Sequence, residues 1–359
     1  MNPRDPSTVE PDLPAIQNFL VHRTNIPSYQ LKAISDMQAI RRSQHQILLA
    51  VVLLAACSQS AVWGDERLSR APSIVNENVS TALLQLDNAT GAFAEVETIT
   101  NSIGMALVSV YAGEFLMGSP DSEGDAREDE RPQHRVRITK PLWVGRHEVT
   151  QAEYEQVTNS NPSWFAPTGA GKSKVGGINT RRFPVENVSW DAAIQFCEKL
   201  SALPAEKAAA RVYRLPTEAE WQYCCRAGST TRFHYGNSLG SSQANINGRF
   251  PYGGAPRGPY LGRTTTVGSY KPNAFGLYDM HGNVAELCFD RFGRTYYSEA
   301  PTDDPQGPDT GNDRLVMGGN WSANAFRCRS AHRRSNATSG FAQYFGFRVV
   351  CEQSNPDRL

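Results

Sequence analysis

A single irregular α+β domain with little regular secondary structure is what this 359-residue sequence predicts. Three observations carry the prediction. Gly (29) and Pro (22) recur often enough to cut the chain into short elements joined by turns. Helix starts are legible at only three places, each from its capping residues. Short stretches of period-two alternation lie between and beyond them, with no internal repeat of fixed period.

Charge and cysteine content narrow the partners. The 36 basic and 36 acidic residues cancel, so no net field favours nucleic acid. Seven Cys are too few for a disulfide mini-scaffold but enough for a few staples in an oxidising compartment.

Residues 47–56, ILLAVVLLAA, are continuously apolar and follow Arg41 and Arg42. The run is too short to span a bilayer core of roughly 30 Å. A basic segment before a short apolar one is the form of a secretory signal. Translation from Met37 would give that signal its usual layout, leaving 1–36 as a non-native or disordered extension and 37–64 as the leader. Two processing readings stand. Leu54-Ala55-Ala56-Cys57 has the form of a bacterial lipobox, with Cys57 lipidated; cleavage after Gly64 is the other, with small residues at Val62 and Gly64. Export follows from both, to the periplasm or to a membrane-anchored lipoprotein, with membrane contact only through a lipid on Cys57. Residues 65–100 are rich in Ser, Asn and Thr and read as a linker. The domain is expected over 101–352, with 353–359 as a tail.

Within the domain, 107–110 and 112–119 read as two strands broken at Gly113. An acidic, glycine-containing loop follows at 121–131. Residues 134–139 alternate polar and apolar as a half-buried strand, and Leu142-Trp143-Val144 as another. Thr150 and Glu153 form a capping box, in which the Thr hydroxyl accepts from the amide three residues on and the Glu reaches back. Thr217 and Glu220 form a second. Ser189 caps a third helix, with Asp191 in its first turn. Behind these caps Tyr154 and Val157, then Ala193, Phe196 and Leu200, then Trp221 and Cys225 fall at helical spacing. The last apolar run, FGFRVVC at 345–351, reads as one strand.

The densest window is GLYDMHGNVAE at 276–286, with two carboxylates and two glycines around an Asn and a His. It could be an active-site loop or a loop held by a metal. Asp279 and Glu286 place carboxylates at its two ends, and Gly282 and Asn283 allow a tight curl that turns carbonyls inward. Hard oxygen donors suit calcium, although the spacing is not that of an EF-hand. His281 could be a general base; a His beside Gly in a tight loop more often has a structural hydrogen-bonding role.

Seven strings in order, GEFLMG at 113–118, HEVTQ at 147–151, PVENVSW at 184–190, RLPTEAEW at 214–221, GLYDMHGNVAE, GGNW at 318–321 and GFR at 346–348, resemble the formylglycine-generating enzyme, or sulfatase-modifying factor, family. The resemblance covers roughly 102–352. It implies a single C-type-lectin-like α+β domain stabilised by calcium. It also implies, for the family's enzymes, oxidation of a sulfatase Cys to formylglycine with copper and molecular oxygen. Proteins of this fold serve other chemistry too, so the fold alone does not settle the function.

The family's enzymes bind Cu(I) with two thiolates that follow a Gly-Gly-Ser turn. Here Asn320 stands at the Ser position and Ala323 at the first Cys position; Cys328 falls on the second when counted forward from the glycines and elsewhere when counted back from the arginine-rich stretch at 329–334, and either way one thiolate is absent. A lone thiolate cannot make a two-coordinate site for a soft ion. The resemblance therefore points away from copper and leaves Cys328 as the one candidate catalytic residue. It also implies disulfides Cys225–Cys328 and Cys197–Cys351, with Cys224 and Cys288 free. For calcium it implies Asp279 and Glu286 with the Gly282 and Val284 carbonyls. A second site begins at Asn245 and Ile246, but Pro259 stands where an Asp is needed, so that site is expected weak or empty.

No HExxH, CxxC or GxSxG occurs. A Ser/His site assembled from distant residues stays open, as does a groove for a protein or peptide ligand. Trp190 and Trp221 are expected in the core, and Trp321, beside the turn, in the groove. The leading expectation is an exported binding module or divergent family member. The alternatives are a formylglycine-generating oxidase acting on a sulfatase-like peptide, and a hydrolase on the same scaffold.

Overall fold

A computed structural model describes residues 96–353. The expectations for 1–36, for the leader at 37–64 with Cys57, for most of the linker and for the tail beyond 353 lie outside the described residues. Strand β1 (Thr98–Thr100) falls inside the segment read as linker, and it is paired residue for residue with β2 (Ala106–Val110).

Two sheets organise the chain. The first has five antiparallel strands in the order β1, β2, β5 (Leu142–Gly145), β11 (Val350–Gln353) and β6 (Arg211–Arg214). The second runs β10 (Phe345–Gly346), β7 (Ala285–Arg291), β8 (Asp313–Met317), β9 (Arg334–Ala337), with only β10–β7 parallel. Strands β3 (Gly113–Met117) and β4 (His134–Ile138) pair by themselves.

The first sheet is buried on both faces because its alternation serves two cores. Leu107 joins Phe196, Leu200, Tyr213 and Phe347 on one side, while Val108, Val110, Val144 and Val350 join Trp221, Leu315 and Met317 on the other. Phe196 is fully buried on helix α2 (Trp190–Ser201), in line with Ala193, Cys197 and Leu200. Truncating such a ring to Ala costs about 3–5 kcal/mol.

The caps form as their residue types dictate. Thr150 and Glu153 close the capping box of α1 (Gln151–Thr158), and Thr217 and Glu220 that of α4 (Glu218–Arg226). The Ser189 hydroxyl accepts from the Ala192 amide at the start of α2. A short α3 (Pro204–Ala208) follows, opened by a proline at its first position. Every residue of α4 is buried. Its charged residues therefore need partners, and Arg333 pairs Glu218 at 2.7 Å while Arg214 pairs Glu220 at 2.7 Å.

One expected element divides. The run 345–351 is not a single strand: β10 ends at Gly346 and β11 begins at Val350. Arg348 sits in the break, where its guanidinium turns inward to Glu286 and donates to the Gly145 and Tyr278 carbonyls at 2.9 Å each. A continuous strand would not serve those partners. Trp221 is core, 1% exposed. Trp190 is only half-buried, with the Arg314 guanidinium over its ring at 3.6 Å.

Candidate functional site

The loop at 276–286 runs straight into β7, so Glu286 is a strand residue rather than a loop end. Both of its oxygens are engaged. Arg348 holds it bidentately at 2.6 Å and 2.6 Å, and the Trp221 indole donates to it at 2.8 Å. Asp279 differs. It takes the left-handed conformation (φ 58°), and Oδ2 accepts from the Gly268 amide at 2.6 Å, while Oδ1 is buried with no partner. A third carboxylate, Glu148, reaches the same loop, accepting from the Val284 amide at 3.1 Å and the Asn283 side chain at 2.6 Å.

Burial, and then the neighbouring Asp279 and Glu286 charges, push the Glu148 carboxyl well above the usual range, and burial raises Asp279 to about 6. Arg348 is the one cation that forms a salt bridge with any of these three groups among the described residues. Negative charge is thus in excess, and one hard oxygen is open. Gly282 is required at its position: φ is +89°, and a Cβ would strike the Asn245 carbonyl.

Asn245 packs against the same loop. Its side chain donates to Asn283 Oδ1 at 3.0 Å and its carbonyl accepts the Asn283 amide at 2.8 Å, while its own Oδ1 is buried without a partner. Ile246 packs in an apolar cluster with Phe233, Leu239 and Cys328.

His281 is structural. Its Nδ1 donates to the Cys328 carbonyl at 2.7 Å and its Nε2 accepts from the His234 amide at 3.1 Å. Those roles require the neutral ring, and burial holds its pKa well below the ordinary value.

The turn at 318–321 borders a pocket of about 390 Å³. Asn320, Ser322, Ala323 and Asn324 line it from the turn, Ala285 and Val316 from the second sheet, and Asn247, Phe250 and Tyr344 from flanking loops; Arg327, His332 and Arg334 complete it. The Asn320 side-chain oxygen accepts from the amide and the hydroxyl of Ser322, both at 3.0 Å, and so fixes the turn. The Ser322 hydroxyl is thus engaged by Asn320.

Cys328 does not line this pocket. It is fully buried, its thiol directed to the Asn324 carbonyl at 3.7 Å and packed on Gly319. Gly319 has φ +71°, and a Cβ there would overlap the sulfur. Burial pushes the thiol up to about 12, against the opposing influence of the Asn320 amide and Arg327.

Neither expected disulfide is formed, and all six described cysteines are free, buried thiols. The sulfurs of each pair are directed to different neighbours. Cys225 lies 3.5 Å from the Ser330 hydroxyl and 3.9 Å from the His281 ring, whereas Cys328 faces Asn324. The Cys351 thiol is directed to the Glu352 carbonyl at 3.6 Å, and Cys197 lies on the core face of α2 in the same apolar cluster.

The groove expectation for Trp321 is also corrected. The ring is 7% exposed, edge-on to Phe165 at 5.2 Å, and its indole donates to the Gln343 carbonyl at 2.9 Å. Packing on both sides consumes its surface, so Phe250 and Tyr344 are the aromatic residues of the pocket. Neither those two nor Arg327 and Arg334 was singled out by sequence reasoning. The arginine-rich run at 329–334 was visible, but only the fold separates buried Arg329 and Arg333 from exposed Arg327 and Arg334.

Comparison with known proteins bears on all of this. Residues 92–353 match the sulfatase-modifying factor enzyme 1-like domain. A formylglycine-generating enzyme of Streptomyces coelicolor is 32% identical over 292 residues, covering 68% of this chain and 88% of that protein. The mouse (Mus musculus) formylglycine-generating enzyme is 30% identical, covering 68% and 75%. Among solved structures, PvdO from Pseudomonas aeruginosa is similar with a TM-score of 0.60 and 28% identity, over 73% of this chain and all of that one. Treponema denticola variable protein 1 is similar with a TM-score of 0.57 and 26% identity, over 72% and 99%. The fold is thus the mixed α/β, C-type-lectin-like fold of these proteins, and the chain belongs to the sulfatase-modifying factor enzyme 1-like domain family.

Proposed function

We propose that this protein is an exported, ligand-binding member of its family rather than a copper-dependent formylglycine-generating oxidase. The observation that carries the reading is the pocket wall. No cysteine lines it; by the sequence resemblance Ala323 falls where the family's first copper-binding thiol would stand, and Cys328 is buried behind Gly319 with its thiol raised to about 12. Two-coordinate Cu(I) needs two thiolates that can reach one ion, and these residues do not fit it. A pocket with polar and aromatic walls and no cysteine suits recognition.

Calcium fits the loop below the pocket in part. Asp279 offers an open, buried carboxylate oxygen, and the excess of negative charge around Glu148 and Glu286 favours a hard cation there. Glu286 is shared with Arg348, so Asp279 with the Gly282 and Val284 carbonyls would hold the ion. Its contribution would be structural, to neutralise the carboxylates and fix the loop.

Support for export lies in the basic and apolar run ending at Cys57 or Gly64. Mass spectrometry of the mature N-terminus from a bacterial host tests it. A chain that keeps residues upstream of 57 and stays in the cytosol would contradict it.

The functional reading is tested by equilibrium dialysis of candidate ligands beside an aldehyde assay on a Cys-x-Pro-x-Arg peptide. Retained ligand without aldehyde supports it, and copper-dependent aldehyde formation overturns it.

A further inference from the structure

The pocket is basic and contains no acid. Arg327 and Arg334 both line it, and both also line a smaller adjoining cavity with Arg127, Phe326 and His332. No Asp or Glu lines either cavity. Arg127 already pairs with Asp129 at 2.9 Å. Arg327 and Arg334 form no salt bridge among the described residues.

This contrasts with the neighbouring arginines. Arg329 is matched to Glu123 and Glu130 at 2.6 Å and 2.7 Å, and Arg333 to Glu218 at 2.7 Å. Arg329 and Arg333 are thus neutralised by carboxylates, whereas Arg327 and Arg334, which face one cavity, are not. Burial and the nearby Arg327 charge lower the Arg334 pKa. Burial, and then Arg329, Arg127, Arg327 and Arg334, hold His332 neutral at about 3, so the ring offers a neutral polar edge rather than a third cation. Arg334 lies over the Phe345 ring at 5.1 Å, and each of the two guanidiniums is a planar fork of donors suited to an oxyanion. Asn247, Asn320, Asn324 and Ser322 supply neutral polar groups, and Phe250 and Tyr344 supply apolar surface.

We propose that the pocket binds a small molecule or chain terminus bearing an oxyanion, a carboxylate or a phosphate, held by Arg327 and Arg334, with an uncharged remainder against Phe250 and Tyr344. The proposal rests on the binding reading above and names its ligand class. It also implies discrimination: a ligand whose buried end is cationic is excluded by like charge.

The test is isothermal titration of the purified chain at low ionic strength with inorganic phosphate, succinate and, as a cationic control, putrescine. Variants Arg327→Ala and Arg334→Ala change exposed side chains, and Lys140→Ala alters an exposed cation that lines neither cavity. Circular dichroism checks that each is folded. The expected result is saturable binding of phosphate or succinate but not putrescine, weakened about tenfold or more by either pocket variant and unchanged by Lys140→Ala. Which anion binds more tightly distinguishes a phosphate ligand from a carboxylate one. Absence of binding by both anions, or binding indifferent to both pocket variants, overturns the oxyanion site. Neither result touches the binding reading, which fails separately if the peptide aldehyde assay is positive.

Discussion

His281 donates through Nδ1 to the Cys328 carbonyl at 2.7 Å, and this bond ties the glycine-rich loop to the segment behind the pocket. The same ring accepts the His234 amide. His281→Leu would leave a buried carbonyl and a buried amide without partners, at a cost of about 2–4 kcal/mol. Urea denaturation checks it. A variant within 0.5 kcal/mol of wild type, a margin typical of substitutions that break nothing, would show that the bond does not carry the connection.

Glu286 and Arg348 form a pair in which each side chain is 1% exposed. Removing one partner strands a buried charge, so Arg348→Met is expected to destabilise by about 3–5 kcal/mol. The double variant Glu286→Leu with Arg348→Met removes both charges and should recover part of that loss. A double variant less stable than Arg348→Met alone would contradict the ion-pair account. Equilibrium denaturation of the two variants beside wild type supplies the comparison.

Calcium should raise the melting temperature of the wild-type chain over a chelated control, and Asp279→Ala should abolish that difference. Differential scanning fluorimetry with calcium and with EDTA measures it. An Asp279→Ala chain that keeps the full calcium-dependent rise would place the ion elsewhere.

Glu186 is fully buried and accepts only two backbone amides, from Trp164 at 3.0 Å and Phe165 at 2.8 Å. Burial raises its pKa from 4.5 to about 7. The folded state therefore binds more protons than the unfolded state between those values. Stability falls as pH rises across that window, by on the order of 3 kcal/mol from this group. Glu186→Gln loses one amide partner but cannot ionise. The advantage of wild type over Glu186→Gln should shrink from pH 5 to pH 8, and a gap that stays constant in denaturation at the two pH values would refute the assignment.

The caps at Thr150, Ser189 and Thr217 were legible because capping is local: the bond joins residues three apart. Strand β4 was legible because its polar–apolar alternation is uninterrupted, and β2, β3 and β5 because they are short apolar runs between turn residues. Strand β7 was hidden, since ELCF at 286–289 is buried at three consecutive positions and shows no alternation. The break at Arg348 was hidden because its cause, Glu286, lies 62 residues away in sequence. The acidic stretch at 121–131 read as a surface loop, yet Glu123 and Glu130 are the buried partners of Arg329, about two hundred residues downstream. Such long-range pairing leaves no local pattern to read. For the same reason the turn at 318–321 could be located from its glycines, while the two unpaired arginines beside it could not be told from the paired ones.

The proposed function turns on a pocket that no cysteine lines, whereas copper-dependent oxidation requires a thiolate pair. Its most direct test is incubation of the purified chain with Cu(I), oxygen and a Cys-x-Pro-x-Arg peptide, with aldehyde detected by hydrazide capture and mass spectrometry. No aldehyde above the copper-only control is expected, for wild type and Cys328→Ser alike. Multiple turnovers by wild type that vanish in Cys328→Ser would contradict it.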